Sequence, residues 1–168
     1  MKTAKTLLEY GGDILSSPRW REERKYPHHG TVSCYLHSVR VADRAVRIGR
    51  WLKRYFGFGS DVRTLVRASL LHDYYLYDWH VPDKTHPHRL HGFRHPRVSL
   101  ENAETEFSLS PREKNSILTH MFPLTPRFPN CREAWIICIA DKICSTEEVF
   151  CVRAKKKIPL EDEINELG

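Results

Sequence analysis

The sequence predicts an all-α fold, a compact single-domain bundle of about five to seven helices in 168 residues. Two observations support this prediction. Apolar residues recur at helical spacing through most of the chain. No segment shows the strict alternation of apolar and polar residues that is typical of a strand. The predicted helices can be placed in chain order.

The first predicted helix begins at Thr31 and carries a long apolar stripe. Glycines end it near Gly57, because glycine readily adopts the backbone conformation that closes a helix. Ser60 is expected to cap a second helix. The apolar run of that helix leads directly into an adjacent histidine and aspartate, His72 and Asp73.

The stretch from Tyr77 to Pro96 predicts an irregular loop, because it contains three prolines, one glycine and five histidines. Ligand contacts are frequent on loops that a rigid scaffold holds in place. A third helix is expected to follow from about Arg97 to Phe107.

The next helix has a well-marked start. A proline follows Ser110, and Glu113 lies three residues after Ser110, which is the pattern of a capping box with proline at the first helical position. This helix carries His120 and is expected to end before Pro123. The last long helix is predicted over residues 129 to 152.

The ends of the chain and its apolar runs bear on its location. The motif-bearing region covers about residues 28–150, between a short N-terminal lead-in and a charged C-terminal tail. The longest uncharged apolar run, Ala134 to Ala140, is far shorter than the roughly 20 residues of a membrane span. No secretory signal is visible at the N-terminus. A cytoplasmic location without a membrane partner is therefore expected.

Charge and cysteine content narrow the partners further. The formal net charge of +6 favours an anionic partner. The basic residues are dispersed, which disfavours nucleic acid, whereas a small phosphorylated molecule fits the charge. The five cysteines contain no CxxC pair and are expected to be reduced core residues.

Imidazoles and carboxylates set among apolar residues are the most informative feature of the chain. Such groups are costly in a hydrophobic interior unless something binds them. The sequence therefore predicts one buried metal centre assembled from distant parts of the chain. Its candidate residues are His37, His72, Asp73, His120 and Asp141, with His95 as a further candidate.

The order His37, His72-Asp73 and Asp141 resembles the defining pattern of the HD-domain superfamily, over roughly residues 28 to 150. Members of that superfamily are helical, and most are metal-dependent phosphohydrolases. The resemblance implies that these residues hold a first metal ion. Mixed nitrogen and oxygen ligands suit divalent transition metals such as Fe, Mn, Zn, Co or Ni.

His95 and His120 resemble the additional ligands of HD proteins that hold two metals in the order H…HD…H…H…D. The resemblance implies that they share Asp73 as ligands of a second ion. His91 lies four residues before His95 and is an alternative to it. His28 and His29 precede the first helix and are expected on the surface, with a position at the pocket as the alternative.

The resemblance also implies a reaction, in which a metal-activated water hydrolyses a phosphate ester. The protein would then be a phosphomonoesterase or phosphodiesterase acting on a small phosphorylated substrate, with nucleotides among the candidates. Asp73 and Lys142 are the expected catalytic residues. Lys142, Arg94 and Lys84 are the expected contacts to substrate.

Two alternatives use the same residues differently. Some HD proteins with this ligand order use two irons to activate oxygen and oxidise a C–H bond. A non-catalytic module that binds metal or nucleotide is the other alternative. No GYP motif follows the HD pair, which argues against hydrolysis of cyclic dinucleotides. Substrate, metal identity, number of ions and oligomeric state stay open.

Overall fold

The computed structural model describes residues 3–29, 32–81 and 91–150, and in these ranges seven α-helices dominate. They are α1 (Thr3–Ser16), α2 (Pro18–Arg21), α3 (Cys34–Phe56), α4 (Val62–Leu71), α5 (His91–Glu106), α6 (Pro111–Thr119) and α7 (Arg132–Phe150). A 3-10 turn follows α2 (Glu22–Lys25), and two short strands, β1 (Pro27–His29) and β2 (Val32–Ser33), pair antiparallel before α3. The predicted all-α fold class is confirmed.

Helix α3 lies at the centre of the bundle and packs most extensively against α4 and α7. Val39 of α3, Leu65 of α4 and Ile137 of α7 are fully buried in one shared core. Burial of such side chains stabilises the fold by about 1.5–3 kcal/mol each. His37 and Asp141 of the predicted centre therefore lie on two of the helices that share this core.

The N-terminal stretch, expected to be a short lead-in, forms helices that pack on α4. Gly11 permits this close approach, since a Cβ at that position would lie 2.6 Å from Cδ1 of Leu70. Trp20 is fully buried, and its indole N–H donates to the carbonyl of Leu70 at 2.8 Å. α1 and α2 thus close one side of the bundle.

Helix α3 begins three residues later than predicted, because the second strand of the hairpin precedes it. The Ser33 hydroxyl accepts from the Leu36 N–H at 3.2 Å and caps the helix. Its predicted end is confirmed, with Gly57 in the left-handed conformation at φ 71°. Ser60 was the wrong cap for α4. Asp61 caps it instead, with a side chain that accepts from the Arg63 N–H at 3.2 Å.

Helix α5 begins at His91, six residues before the predicted start at Arg97. Pro96 lies inside it. Proline removes one backbone hydrogen bond, and a helix with only a few residues before the proline tolerates that loss. The extra turn places His91 and His95 on one face, with ring centroids 4.6 Å apart. Residues 82–90 of the predicted loop lie outside the described residues.

The remaining elements agree with the predictions. α6 has its capping box, and α7 lies within the predicted residues 129 to 152. Cys34, Cys131, Cys138 and Cys144 are free of disulfide bonds, while Cys151 lies outside the described residues. Within the described ranges, every helix is too short or too polar to cross a membrane.

Replacing Ser110 with alanine is expected to destabilise the protein by about 1 kcal/mol, which corresponds to about 2–4 °C in Tm. The Ser110 hydroxyl accepts from the Glu113 N–H at 3.3 Å, and the Glu113 carboxylate accepts from the Ser110 N–H at 2.6 Å. Thermal unfolding followed by circular dichroism measures the change. Ser16→Ala is the control, because the Ser16 hydroxyl is exposed and bonds only within its own helix end; equal losses in both variants would contradict the capping role.

Candidate metal centre

Six residues from five parts of the chain meet in the interior, and all six are buried. His72 and His120 occupy the C-cap positions of α4 and α6. The packing of α4 against α3 and α7 brings residues from these helices close together. The six are His37 on α3, His72 and Asp73 after α4, His95 on α5, His120 after α6 and Asp141 on α7.

The first group of donor atoms comes from His37, His72 and Asp141. The Nε2 atom of His37 lies 3.2 Å from Oδ1 of Asp141 and 3.3 Å from Nε2 of His72. Asp73 approaches the same group with Oδ2, which lies 3.5 Å from Nε2 of His72 and 3.7 Å from Nε2 of His37. These atoms surround one small space between α3, α4 and α7.

The second group consists of Asp73, His95 and His120. Oδ1 of Asp73 lies 3.2 Å from Nε2 of His95 and 3.5 Å from Nε2 of His120. The two Nε2 atoms are 2.8 Å apart. Asp73 therefore lies between the two groups and turns one carboxylate oxygen to each.

His91, the alternative to His95, occupies a different place. Its Nδ1 lies 3.0 Å from the Tyr77 hydroxyl, and its ring stacks on Trp79 with centroids 5.1 Å apart. Burial, together with the charge of His95, lowers the pKa of His91 to about 3. His91 thus forms part of a wall beside the group, and His95 reaches Asp73.

Backbone carbonyls fix the orientation of three of the imidazoles. A carbonyl oxygen only accepts hydrogen bonds, so the ring nitrogen next to it must carry the proton. In the neutral ring, Nε2 then turns a lone pair inward. The Nδ1 atoms lie 2.7 Å from the Ser69 carbonyl for His72, 3.0 Å from the His91 carbonyl for His95 and 2.7 Å from the Ile117 carbonyl for His120.

These lone pairs make the site fit a cation. The Nε2 atoms of His95 and His120 face each other at 2.8 Å, where two lone pairs repel unless a positive species lies between them. Oδ1 of Asp73, which faces both, is buried without a hydrogen-bond partner among the described residues. Imidazole nitrogens held by carbonyls, beside a free carboxylate oxygen, are donors that suit a divalent transition metal.

Two further residues lie beside the six, and of these Glu148 was missed in the sequence. His28, expected on the surface, is only 8% exposed. Its Nε2 lies 3.1 Å from Oδ2 of Asp73, and its Nδ1 lies 3.2 Å from Oε2 of Glu148. Glu148 follows Asp141 by seven residues, so helical spacing places both on one face of α7. That spacing could have identified Glu148. The buried position of His28 depends on the β1–β2 hairpin, which the sequence pattern does not predict.

The imidazoles keep the buried carboxylates ionised. Burial alone would raise the pKa of Asp73, but His72, His28 and His95 outweigh it and hold that pKa well below its usual range. Burial alone would raise the pKa of Asp141 as well, but the neighbouring imidazoles of His37 and His72 outweigh it and hold that pKa low. Ionised carboxylates are the form that binds a metal.

The pKa values of the imidazoles shift in different directions. Burial alone would lower the pKa of His37, but the carboxylates of Glu148 and Asp141 outweigh it and raise the pKa to about 9. Burial, together with the neighbouring imidazoles, lowers the pKa of His120 to about 3. In the metal-free protein, a proton on His37 therefore partly replaces the positive charge that the carboxylates require.

A cavity of about 700 Å³ opens beside the two groups. Asp73, His95, His120 and Asp141 line its floor, and Lys142 lines its wall. The Lys142 ammonium donates to the His120 carbonyl at 3.0 Å. The outer wall is mostly apolar and includes Trp79, Met121, Pro123 and Leu124.

The other two predicted substrate contacts are placed differently. Arg94 is exposed and lines a second groove of about 400 Å³, together with Arg97 and Arg127. The structure does not bring Arg94 to the wall of the cavity beside the groups. Lys84 lies outside the described residues. Of the predicted cationic contacts, Lys142 is the one that faces the cavity in the described part of the chain.

Comparison with protein families identifies the family to which the chain is similar. A family model described as HD domain matches residues 34–146, which is more than half of the 168-residue chain. The match includes all six residues of the two groups, and it excludes His28 and Glu148 on either side. No match was found among curated proteins or among solved structures.

Asp73→Asn is expected to weaken binding at both groups, because Asp73 offers one oxygen to each. We expect metal affinity to fall by more than about 100-fold, since even residues that only orient a ligand contribute about 10–100-fold. Elemental analysis after dialysis against metal-free buffer measures the loss. Asp78→Asn is the matched control, because Asp78 lies five residues away and bonds the exposed His80. Equal metal content in the two variants would rule out the shared role of Asp73.

Metal binding at pH 7.5 is expected to release about one proton from His37 per chain. The pKa of His37 is raised to about 9, so the ring is protonated at pH 7.5 and neutral above about pH 10. Release should disappear as the pH rises through that range. Titration calorimetry in buffers of different ionisation enthalpy counts the protons. Glu148→Gln, which removes one of the raising carboxylates, should reduce the release at pH 8; a release that ignores both pH and Glu148 would contradict the assignment.

Proposed function

The chain belongs to the HD-domain family, and from this premise we propose that it is a metal-dependent phosphohydrolase that transfers the phosphoryl group of a small ester to water. One observation carries the proposal. The Asp73 carboxylate lies between two groups of imidazoles, with Oδ1 3.2 Å from His95 and Oδ2 3.5 Å from His72. That arrangement suits a pair of metal ions held by one bridging carboxylate.

The proposed ligands divide into two sets that share Asp73. His37, His72, Asp73 and Asp141 would hold one ion, and Asp73, His95 and His120 would hold the other. When bound, divalent metals lower the pKa of water and offset negative charge on phosphoryl oxygens. The fixed Nδ1–H bonds of the imidazoles keep the donor atoms in place, so little reorganisation is needed during the reaction.

Lys142 is proposed to bind the phosphoryl group. It lines the cavity next to Asp141, and its ammonium is anchored on the His120 carbonyl at 3.0 Å. An ammonium has three donors, so it can keep that bond and still donate to a phosphate oxygen. A charge-assisted bond of this kind is about twice as strong as a neutral one.

The organic part of the substrate is proposed to lie against the apolar wall of the cavity. Trp79, Met121 and Leu124 form that wall, and the volume of about 700 Å³ suits a small organic phosphate. Phosphate at the floor and an apolar or planar group at the wall would fill the cavity together. The apolar character of the wall argues against a substrate that is charged along its whole length.

Lys142→Met is expected to lower kcat/KM for phosphate release by about 10- to 100-fold, since bonds to charged groups contribute about 1.5–3 kcal/mol. The assay uses metal-loaded protein with p-nitrophenyl phosphate, bis-p-nitrophenyl phosphate and a panel of nucleoside monophosphates. Lys114→Met is the control, because Lys114 pairs with Glu104 at 2.6 Å and does not line the cavity. Equal activity in the two variants would remove Lys142 from the site.

The same preparations test the proposed reaction itself. Phosphate release that requires added metal supports hydrolysis. Oxygen consumption by the iron-loaded protein without phosphate release would favour oxygenase chemistry instead. Tight nucleotide binding without turnover under any of Mn, Fe, Co, Ni and Zn would favour a binding module.

A further inference from the structure

We propose that His28 is a further ligand of the metal centre, delivered by the β1–β2 hairpin to the group that contains His37 and His72. The proposal rests on the metal centre proposed above and adds a residue from outside the HD-domain match. His28 is buried, lines the cavity, and approaches Asp73 at 3.1 Å.

Glu148 gives His28 and His37 the same orientation. Its Oε2 atom lies 3.2 Å from Nδ1 of His28 and 3.0 Å from Nδ1 of His37. The two rings stack, with centroids 3.6 Å apart and planes 18° from parallel. Because an ionised carboxylate only accepts hydrogen bonds, each Nδ1 donates to Glu148, and each neutral ring then presents a lone pair at Nε2.

Both Nε2 atoms approach the same oxygen of Asp73. The distance to Oδ2 is 3.1 Å from His28 and 3.7 Å from His37. A lone pair that faces a carboxylate at this distance is repelled unless a cation lies beside both. Ligation of a metal ion by Nε2 of His28 would remove this conflict.

The hairpin is built in a way that aims His28 inward. Pro27 pairs with Ser33 and His29 pairs with Val32, so the register shifts at His28. Such a bulge redirects one side chain and is common next to functional sites. The Cys34 N–H donates to the Tyr26 carbonyl at 2.9 Å and ties the base of the hairpin to the start of α3.

Arg40 completes the support. Its guanidinium lies 3.5 Å from Oε1 of Glu148, the oxygen that the two imidazoles leave open. Burial alone would raise the pKa of Glu148, but His37 and His28 outweigh it and hold that pKa low. An ionised Glu148, fixed on one side by Arg40, is therefore a stable acceptor for both Nδ1–H groups.

With His28, the first group contains three imidazoles, whereas the second contains two, from His95 and His120. More nitrogen donors shift preference toward Fe, Co, Ni and Zn and away from Mn and Mg. The two positions should therefore differ in affinity, and His28 should affect only one of them. This selective effect separates a ligand from a residue that merely supports the fold.

Cobalt(II) is the probe for the test. We expect His28→Ala to weaken one of two bound cobalt ions by at least about 10-fold, to leave the other unchanged, and to alter the visible d–d absorption. Chelator competition measures the two affinities. His80→Ala is the matched control, because His80 is an exposed histidine bound to Asp78, and it should match the wild type in both measurements.

A second variant keeps the test valid if His28→Ala folds poorly. His28→Gly with added imidazole should regain the wild-type spectrum, because free imidazole can occupy the vacated position; a residue that only supports the hairpin would give no such rescue. A wild-type spectrum and affinity in His28→Ala would overturn ligation. Reduced turnover with unchanged cobalt binding would also overturn it and would assign His28 to the substrate. If the wild type itself binds no cobalt, the whole centre is refuted.

Discussion

The structure depends on the balance of charge around Asp73. This carboxylate is almost fully buried, and it lies beside imidazoles from α3, α4, α5 and α6 together with His28 of the hairpin. Placing an ionised carboxylate in a protein interior costs several kcal/mol unless positive charge compensates it. Protons on histidines can supply that charge in part, as the raised pKa of His37 indicates. Divalent ions would supply that positive charge more fully. They would also offset the repulsion between the facing lone pairs of His95 and His120.

The same local device orients two of these histidines. His72 and His120 are the C-cap residues of α4 and α6, and each donates from Nδ1 to the carbonyl three residues before it at 2.7 Å. The last carbonyls of a helix have no partner within the helix. The imidazole therefore satisfies the helix end and, in doing so, turns Nε2 toward Asp73. At His72 and at His120, the same hydrogen bond both ends the helix and orients the imidazole.

The sequence could predict some parts of the site and of the fold and not others. A histidine or aspartate in an apolar run is recognisable without a structure, so all six residues of the two groups were identified, and the capping box of α6 was placed correctly. The predicted start of α5 at Arg97 was wrong, because a proline so near a helix start removes a single backbone hydrogen bond and the helix can include it. For His28 the surface position was favoured over the pocket, because its burial depends on a bulge and on Glu148, 120 residues later.

His28 and Glu148 also indicate how the fold could specialise one side of the centre. Both lie just outside the HD-domain match, one before α3 and one in the last turn of α7, and Oε2 of Glu148 contacts Nδ1 of both His28 and His37. The carboxylate makes the His37 ring more electron-rich, and the hairpin brings an additional nitrogen to the same side. His95 and His120 keep backbone carbonyls as their Nδ1 partners and line the cavity. A tightly held ion beside His28 and His37, and a more exchangeable one beside His95 and His120, would follow from these partners.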